Sequence, residues 1–318
     1  MPSEFELIAH YFTRPAKRTV LGVGDDAALV RVRDGKELAV AADMLLAGRH
    51  FFHEDDAFGV GHKSLAVNLS DMAAMGATPR WALLSLALPE ADERWIKNFS
   101  QGLFALADEH GVALIGGDTT KGPLTISVTI MGEVERGQAL RRSGAKAGDD
   151  IWVSGTLGDA ALALAHLKRG IGLAPHDAAT LLPRLHLPTP RVKLGQKLLG
   201  LAHGAIDISD GLLADLGHML EASKVGAEID VDTMPVSTAV RGYLEHDAAR
   251  QAVLAGGDDY ELCFTAGSKR YAEIEALGRR LKLNLTRVGR ITRKKGLALH
   301  DAQGRPVTWE HKGFDHFA

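Results

Sequence analysis

Residues 92–118 have the sequence DERWIKNFSQGLFALADEHGVALIGGD, and this stretch indicates the fold class. The segment from Asp92 to His110 predicts a helix, and Gly111 ends it because glycine adopts the conformation that closes helices. The apolar run Val112–Ile115 then predicts a strand that delivers Gly116, Gly117 and Asp118 at its end. A helix followed at once by a strand is typical of α/β or mixed α+β proteins.

The same alternation continues on both sides of this stretch. In the first half, hydrophobic spacing predicts helices and strands at Glu4–Phe12, Leu38–Ala42, Asp56–Met75, Trp81–Leu88 and Leu124–Val134. The segment 143–150 is small and polar with two glycines, which predicts a linker. We therefore expect two domains, residues 1–142 and residues 143–318.

The second half also alternates, so both domains are expected to be α/β or mixed α+β. Strands are predicted at Ile151–Val153, Ala205–Ile208, Gly226–Val231, Leu262–Thr265 and Leu285–Ile291. Helices are predicted at Gly158–Leu167, Leu212–Ala222 and Tyr271–Leu281. Pro183, Pro188 and Pro190 predict an extended stretch between them, because proline interrupts helices.

Composition excludes several classes of protein. The chain has 318 residues, 46% hydrophobic and 24% charged, with a formal net charge of -3, as in ordinary globular proteins. This balance predicts no general affinity for nucleic acid or for an anionic membrane. We find no signal-peptide pattern and no membrane span. The one cysteine, Cys263, lies in an apolar run and predicts a buried thiol in a cytoplasmic protein.

Acidic residues beside small residues are the most informative pattern. They occur in the segments 22–26, 41–43, 68–71, 115–119, 206–210 and 256–259. Two carboxylates ~4 Å apart repel by roughly 4 kcal/mol at an effective dielectric of about 20. A convergent cluster therefore requires a cation, and oxygen ligands without a His or Cys framework favour Mg²⁺. The pattern predicts a phosphate-handling site with several Mg²⁺ ions, and the chain has no Walker A motif.

Taken in order, these motifs resemble the thiamine-monophosphate kinase family. The matching segments are Gly24-Asp-Asp26, Asn68-Leu-Ser-Asp71, Ile115-Gly-Gly-Asp-Thr-Thr120, Asp207-Ile-Ser-Asp-Gly211 and Gly256-Gly-Asp-Asp-Tyr-Glu-Leu262. The resemblance runs from Phe5 to Phe317. It implies a two-domain fold like that of aminoimidazole ribonucleotide synthetase and a homodimer formed by the N-terminal domains. It also implies conversion of ATP and thiamine phosphate to ADP and thiamine diphosphate, with several Mg²⁺ ions.

The resemblance assigns roles to individual positions. It implies metal ligands at Asp26, Asp43, Asp71, Asp118, Asp207 and Asp210, of which Asp43, Asp71, Asp118 and Asp207 are the expected catalytic residues. It implies ATP contacts at Gly117, Asp118, Arg142 and Ser209, and contacts to thiamine phosphate at His50, Asp258 and Phe314.

The chain departs from the family pattern at two places. Ala41 and Ala42 stand where hydroxyl residues are common, which leaves only backbone carbonyls for a metal ion there. Asp258 stands where glutamate is usual, so its carboxylate is one methylene shorter.

The proposed chemistry asks little of the protein beyond positioning and positive charge. The acceptor phosphate is already a nucleophile, so no general base is required.

Several positions also have structural interpretations. Asp26 could belong to a turn, Ser209 could cap the following helix, and His50 and Phe314 could be structural. The segment 155–159 could bind phosphate at a helix N-terminus, although a simple turn is the stronger interpretation.

Four other functions compete with this interpretation. Selenophosphate synthetase and the hydrogenase-maturation dehydratase use reactive cysteines at places where this chain has none. An aminoimidazole ribonucleotide synthetase-like enzyme stays open. A catalytically silent nucleotide-binding regulator is supported by Ala41 and Ala42 alone, and the six retained aspartates oppose it. The apolar strands Trp81–Leu88 and Leu124–Val134 are the expected dimer interface.

Overall fold

The computed structural model describes residues 3–16 and 18–309. The chain forms two compact units. Unit 1 comprises Met1–Met72 and Ala77–Gly137, and unit 2 comprises Ala73–Gly76 and Gln138–Ala318.

Unit 1 contains a four-stranded sheet beside two long helices. Its strands are β3 (Lys36–Leu46), β4 (Thr78–Leu88), β5 (Ala113–Lys121) and β6 (Thr125–Glu135), preceded by the short pair β1 (Thr19–Leu21) and β2 (Leu29–Val30). The order across the sheet is β3, β6, β4, β5. Only β4 and β5 run parallel in this sheet, and the helix between them provides the long connection that a parallel pair needs.

The helices of unit 1 are the short α1 (Glu4–Leu7), α2 (Ala57–Ala74) and α3 (Glu93–His110). The Asp92 side chain accepts hydrogen bonds from the amides of Arg94 and Trp95 and so begins α3. Gly111, with φ 66°, ends the helix as the sequence predicts.

Helices α2 and α3 touch through their backbones. A Cβ atom on Gly61 would lie 2.0 Å from the carbonyl oxygen of Phe99, and one on Gly102 would lie 1.9 Å from that of Phe58. Both distances are far below van der Waals contact, so this crossing requires glycine on each helix. The core that surrounds the helices and the sheet includes the fully buried residues Leu65, Leu69, Trp81, Ile96, Phe99 and Ile130.

Strand β3 leaves one face uncovered. Along it, even-numbered residues from Leu38 to Leu46 are exposed, whereas alternate residues are half-buried or buried. The exposed apolar side chains are Leu38, Val40, Met44 and Leu46, and Val40 is 58% exposed. We call these four residues the β3 stripe.

Unit 2 is built on a seven-stranded sheet. Its strands are β7 (Asp149–Ser154), β8 (Gly204–Ile208), β9 (Gly226–Asp230), β10 (Glu261–Gly267), β11 (Leu285–Thr292), β12 (Gly296–His300) and β13 (Pro306–Val307). They lie in the order β13, β12, β9, β11, β7, β10, β8, and only the pair β12–β9 is parallel. The central strands β7, β8 and β10 are almost wholly buried, as expected of apolar runs.

Seven helices accompany this sheet within the described residues. They are α4 (Asp159–Leu167), α5 (Pro175–His186), α6 (Val192–Leu198), α7 (Leu212–Ser223), α8 (Thr238–Arg241), α9 (Asp247–Ala255) and α10 (Tyr271–Leu281). Their apolar sides share a core with the sheet that includes Leu162, Leu181, Leu216, Val253 and Cys263.

The structure corrects three expectations about elements. The extended stretch predicted from Pro183 is wrong at its start, because α5 continues through Pro183 to His186. Strands β3 and β5 are longer than predicted, so Asp43 and Asp118 lie inside strands and not at their ends. The segment 143–150 contains a helical turn at Arg142–Gly144 and the start of β7, so only part of it is a connection. Among the described residues, no helix is long and apolar enough to cross a membrane.

Candidate functional site

Unit 1 places Asp43 and Asp118 on different strands at opposite edges of its sheet. Asp43 lies opposite Val128, which is buried, whereas Asp118 lies opposite Ser85, which is exposed. Two strands separate β3 from β5, which corresponds to about 14 Å at the usual strand spacing. These two aspartates of the expected cluster are therefore not neighbours within the sheet of unit 1.

The second acidic group of unit 1 lies on α2 and in an early loop. Asn68 and Asp71 are on α2, where Asp71 is half-buried and Asn68 is 0% exposed. The Asn68 amide nitrogen donates to the Ser64 carbonyl at 3.0 Å, while its Oδ1 is buried without a hydrogen-bond partner. Asp26 is exposed, and its amide donates to the carboxylate of Asp25 at 2.9 Å.

The two alanines before Asp43 differ in exposure. Ala41 and Asp43 are half-buried and belong to the same face of β3, because side chains alternate along a strand. Ala42 is exposed and belongs to the opposite face, with the β3 stripe. A hydroxyl at position 41 would therefore lie on the side of Asp43, and one at position 42 would not.

His50 and Gly117 are both constrained by the backbone around them. The Leu46 amide donates to Nδ1 of His50 at 3.0 Å, so a neutral imidazole carries its proton on Nε2. Gly117 has φ 146°, and a Cβ atom there would lie 1.8 Å from the Leu84 carbonyl oxygen. Only glycine fits, because the backbone of the neighbouring strand at Leu84 fills the place of a side chain.

In unit 2, carboxylates gather where β8 ends and α7 begins. Asp207 is buried at the end of β8, and Asp210 is half-buried just before α7. Asp215, in the first turn of α7, accepts hydrogen bonds from the amides of Ser209 and Asp210, each at 3.0 Å. Burial, and then the charge of Asp207, raise the pKa of Asp215 to about 7. The three carboxylates therefore interact.

Asp215 is a residue that the sequence reasoning missed. The signal was available, because the motif 206–210 is followed by Asp215 one helical turn inside the next helix. The alternative that Ser209 caps this helix is wrong. Gly211 is the N-cap residue, without a side-chain cap, and the Asp215 carboxylate binds the Ser209 amide.

A second loop, residues 256–260, is bonded to the segment around Ser209. The Asp258 amide donates to the Ser209 carbonyl at 2.9 Å, and the Tyr260 amide donates to the Ile208 carbonyl at 2.8 Å. The expected substrate residue Asp258 is thus fixed to the segment that carries Asp207, Ser209 and Asp210. The sequence predicted both segments, and the structure brings them together.

The neighbouring Asp259 argues against phosphate binding at the N-terminus of α4, which the sequence had allowed. Its two carboxylate oxygens accept from the Gly158 amide at 3.1 and 3.0 Å, at the N-terminus of α4. Burial raises the pKa of Asp259, and this hydrogen bond opposes that rise in part. The helix N-terminus considered for phosphate is therefore already bonded to a carboxyl group.

The remaining expected ligand-binding residues are Arg142 and Phe314. Arg142 is exposed in the helical turn Arg142–Gly144, and its carbonyl accepts from the Ser223 hydroxyl at 2.8 Å. Phe314 lies outside the described residues.

The donors fit Mg²⁺ by chemistry but not as a complete protein cage. Within residues 3–16 and 18–309, no group of three or more His, Cys, Asp or Glu side chains is arranged to hold a metal ion. Mg²⁺ is usually bound by one or two carboxylates together with substrate phosphates and water. The neighbouring Asp207 and Asp210 suit an ion that shares its ligands with a bound phosphate.

Comparisons with known proteins agree over almost the whole chain. Residues 24–134 match the family described as AIR synthase related protein, N-terminal domain, and residues 146–302 match its C-terminal domain. The thiamine-monophosphate kinase of Escherichia coli strain K12 is 45% identical over 99% of this chain and 98% of its own length. That of Bacillus subtilis is 34% identical over 99% of both chains.

Solved structures give the same picture. The thiamine-monophosphate kinase of Stenotrophomonas maltophilia K279a has a TM-score of 0.85 and 53% identity, covering 92% of this chain and 93% of its own. A ThiL protein complexed with AMPPCP and TMP has a TM-score of 0.79 and 32% identity, covering 90% and 89%. The hydrogenase maturation protein HypE, at 22% identity and a TM-score of 0.77, shares the fold.

Proposed function

The chain belongs to the thiamine-monophosphate kinase family, and we propose on that premise that its aspartate-rich segments serve the ATP-dependent phosphorylation of thiamine phosphate. It is a kinase that transfers the terminal phosphate of ATP and forms thiamine diphosphate. The observation that carries this function is the 45% identity over 99% of the chain. The family resemblance and the two-domain α/β fold predicted from the sequence are confirmed.

The proposed ATP-binding residues are Gly117 and Asp118 in unit 1 and Arg142 and Ser209 in unit 2. In support, Gly117, Asp118 and Arg142 are all exposed. A guanidinium group suits phosphate because it offers several donors and a permanent charge. The ThiL relative solved with AMPPCP, an ATP analogue, supports a nucleotide site in this family.

For thiamine phosphate, the proposed contacts are His50, Asp258 and Phe314. Thiamine carries a positively charged ring and an amino group, which a carboxylate such as Asp258 can bind. The His50 ring, with its Nδ1 engaged by the backbone, can donate from Nε2 to a phosphate oxygen. The relative complexed with TMP supports a site for this class of ligand.

Magnesium ions complete the proposal. We assign them to Asp26, Asp43, Asp71 and Asp118 in unit 1 and to Asp207 and Asp210 in unit 2, with backbone carbonyls at Ala41 and Ala42. When bound, Mg²⁺ supplies positive charge to phosphate oxygens during transfer. The aspartates orient that charge, and the acceptor phosphate needs no base because it is already ionised. The proposed ligands come from both predicted domains, residues 1–142 and residues 143–318.

A homodimer is the proposed assembly, and the cytoplasm, where ATP is available, is the proposed location. The strands first expected at the interface do not support the dimer, because the large side chains of β4 and β6, such as Trp81, Leu86, Ile126 and Ile130, are buried in their own unit. The β3 stripe offers a better surface, since it is apolar, contiguous along one strand and exposed.

The decisive experiment is a product assay with purified protein, ATP and Mg²⁺. We expect thiamine diphosphate from thiamine phosphate and no product from free thiamine or from the substrate of aminoimidazole ribonucleotide synthetase. A chelator serves as the control and should abolish turnover. Folded protein that makes no thiamine diphosphate at saturating substrates would overturn the proposal and revive the silent-regulator alternative.

A further inference from the structure

The Asp258 carboxylate is held by a neighbour two residues away. The Tyr260 hydroxyl donates a hydrogen bond to Oδ1 of Asp258 at 3.0 Å. Tyr260 itself is buried, so its ring is fixed and its hydroxyl has little freedom to move away. A hydrogen bond to an ionised oxygen is stronger than one between neutral groups.

The backbone of this loop is strained at the same two residues. Asp258 has φ 68° and Tyr260 has φ 50°, in the left-handed region that side chains other than that of glycine rarely adopt. Such residues cost on the order of 1–3 kcal/mol each and persist where the surroundings over-determine them. Because the strain falls on Asp258 and Tyr260, we infer that the loop must hold these two side chains in particular directions.

Three sets of hydrogen bonds hold this loop in its strained conformation. The Asp258 amide is bonded to the Ser209 carbonyl and the Tyr260 amide to the Ile208 carbonyl, while Asp259 between them holds the Gly158 amide with both oxygens. Each residue of the strained turn is therefore fixed separately. The backbone sets where Asp258 begins, and the Tyr260 hydroxyl sets where its carboxylate points.

We propose that Tyr260 is a positioning residue for thiamine phosphate, which acts by orienting the Asp258 carboxylate toward the positively charged or amino-bearing part of that substrate. The inference rests on the proposed function, in which Asp258 contacts thiamine phosphate. Oδ1 is engaged by the hydroxyl, so the carboxylate meets the substrate in one orientation. Tyr260 does not itself touch the reacting phosphates.

The test is the variant Tyr260→Phe, which removes the hydroxyl and keeps the buried ring. Loss of one hydrogen bond to a charged group should raise KM for thiamine phosphate about five- to tenfold. We expect kcat and KM for ATP to change by less than about twofold. The lost contact binds thiamine phosphate equally in the ground state and in the transition state, so its loss weakens binding without slowing the chemical step. A purely structural role would instead change both KM values or the melting temperature.

Tyr243→Phe is the matched control. The Tyr243 hydroxyl donates to Asp177 at 2.9 Å, so this variant removes the same kind of bond elsewhere in unit 2, together with the bond that the hydroxyl accepts from the Ala174 amide at 2.8 Å. It should leave both KM values unchanged. The second arm is a cycle with Asp258→Ala, in whose background Tyr260→Phe should have no further effect on KM, because the group it orients is gone.

The outcomes separate the two levels of inference. Inactive wild-type protein would overturn the proposed function and this inference together. Active protein with an unchanged KM in Asp258→Ala would remove Asp258 from the substrate site, and Tyr260 with it. A raised KM in Asp258→Ala with no change in Tyr260→Phe, or additive effects in the cycle, would overturn the positioning role alone.

Discussion

At the scale of single residues, three aspartates show how burial separates a structural role from an expected ligand-binding role. Asp118 is exposed on β5, whereas Asp215 and Asp259 are buried and hold backbone amides of neighbouring segments. A carboxylate that holds an amide stabilises the fold directly. An exposed one contributes little, so an effect of its removal on turnover points to ligand binding.

Asp118→Asn should lower kcat about 100-fold or more while the melting temperature of the metal-free protein holds or rises slightly. The substitution removes a charge from an exposed position, so the fold loses nothing that the structure shows. Steady-state kinetics and thermal melts with and without MgATP measure the two effects. Asp34→Asn, an equal charge change in an exposed turn of unit 1, is the control and should be silent. A strongly destabilised Asp118→Asn protein would mark the residue as structural.

The sequence predicted the ligand residues better than the residues that hold them. Asp207, Ser209 and Asp258 are found from motifs, because each lies beside small residues in a recognisable order. Asp215 and Tyr260 are not found in this way. Their roles depend on hydrogen bonds to Ser209, Asp210 and Asp258 that exist only after the chain has folded.

At the scale of helices and strands, local signals explain both the successes and the errors. Helix α3 is predicted to within one residue because Asp92 begins it and Gly111 ends it. Helix α5 is not predicted from the sequence, where Pro183 favours an extended stretch because proline normally interrupts a helix. Here it lies in the last turns, where only one hydrogen bond is lost.

The crossing of α2 and α3 gives a prediction about stability. Gly102→Ala improves the intrinsic helix propensity, yet its methyl group would lie 1.9 Å from the Phe58 carbonyl oxygen. We expect it to destabilise the protein by about 2 kcal/mol, because the helices must separate. Chemical denaturation followed by circular dichroism measures the change.

Gly217→Ala is the matched control within α7. A Cβ atom at Gly217 meets no atom within 4 Å, so only the helix propensity changes. This variant should stabilise the protein by roughly 0.5–1 kcal/mol. Equal effects of the two substitutions would show that α2 and α3 can separate at no cost, contrary to the packing described above.

At the scale of the whole molecule, the β3 stripe is the feature that a single chain leaves unexplained. Single exposed apolar side chains are common, but four on the same face of one strand form a continuous surface. The alternation on β3 is regular, so the opposite face is committed to the interior of unit 1.

Val40→Asp should convert the proposed homodimer to a monomer. A carboxylate buried at the centre of an apolar interface has no partner there and strongly opposes association. Light scattering should give twice 34.0 kDa for the wild-type protein and 34.0 kDa for the variant. Leu167→Asp, at an exposed apolar position on α4 in unit 2, should leave the mass of the dimer unchanged. A wild-type monomer at micromolar concentration would contradict the assembly.

Cys263 is a natural chemical probe for the opening of the unit 2 sheet. It is the single cysteine of the chain, lies 0% exposed in β10 between β7 and β8, and its pKa is raised by burial, and then by the charge of Asp215, to about 12. The folded thiol therefore stays protonated at pH 8, and the contribution of this thiol to stability should fall as the pH rises past about 9, where the unfolded thiol ionises.

An aromatic disulfide reagent should consequently modify native protein only in molecules whose sheet has opened, and unfolded protein at once. Bound MgATP should slow the modification, because a ligand that binds only the folded state lowers the population of open molecules. Rapid labelling of native protein would show that β10 is accessible without opening. Otherwise, each coloured thiolate released would report one molecule whose central sheet had opened, and no engineered probe would be needed.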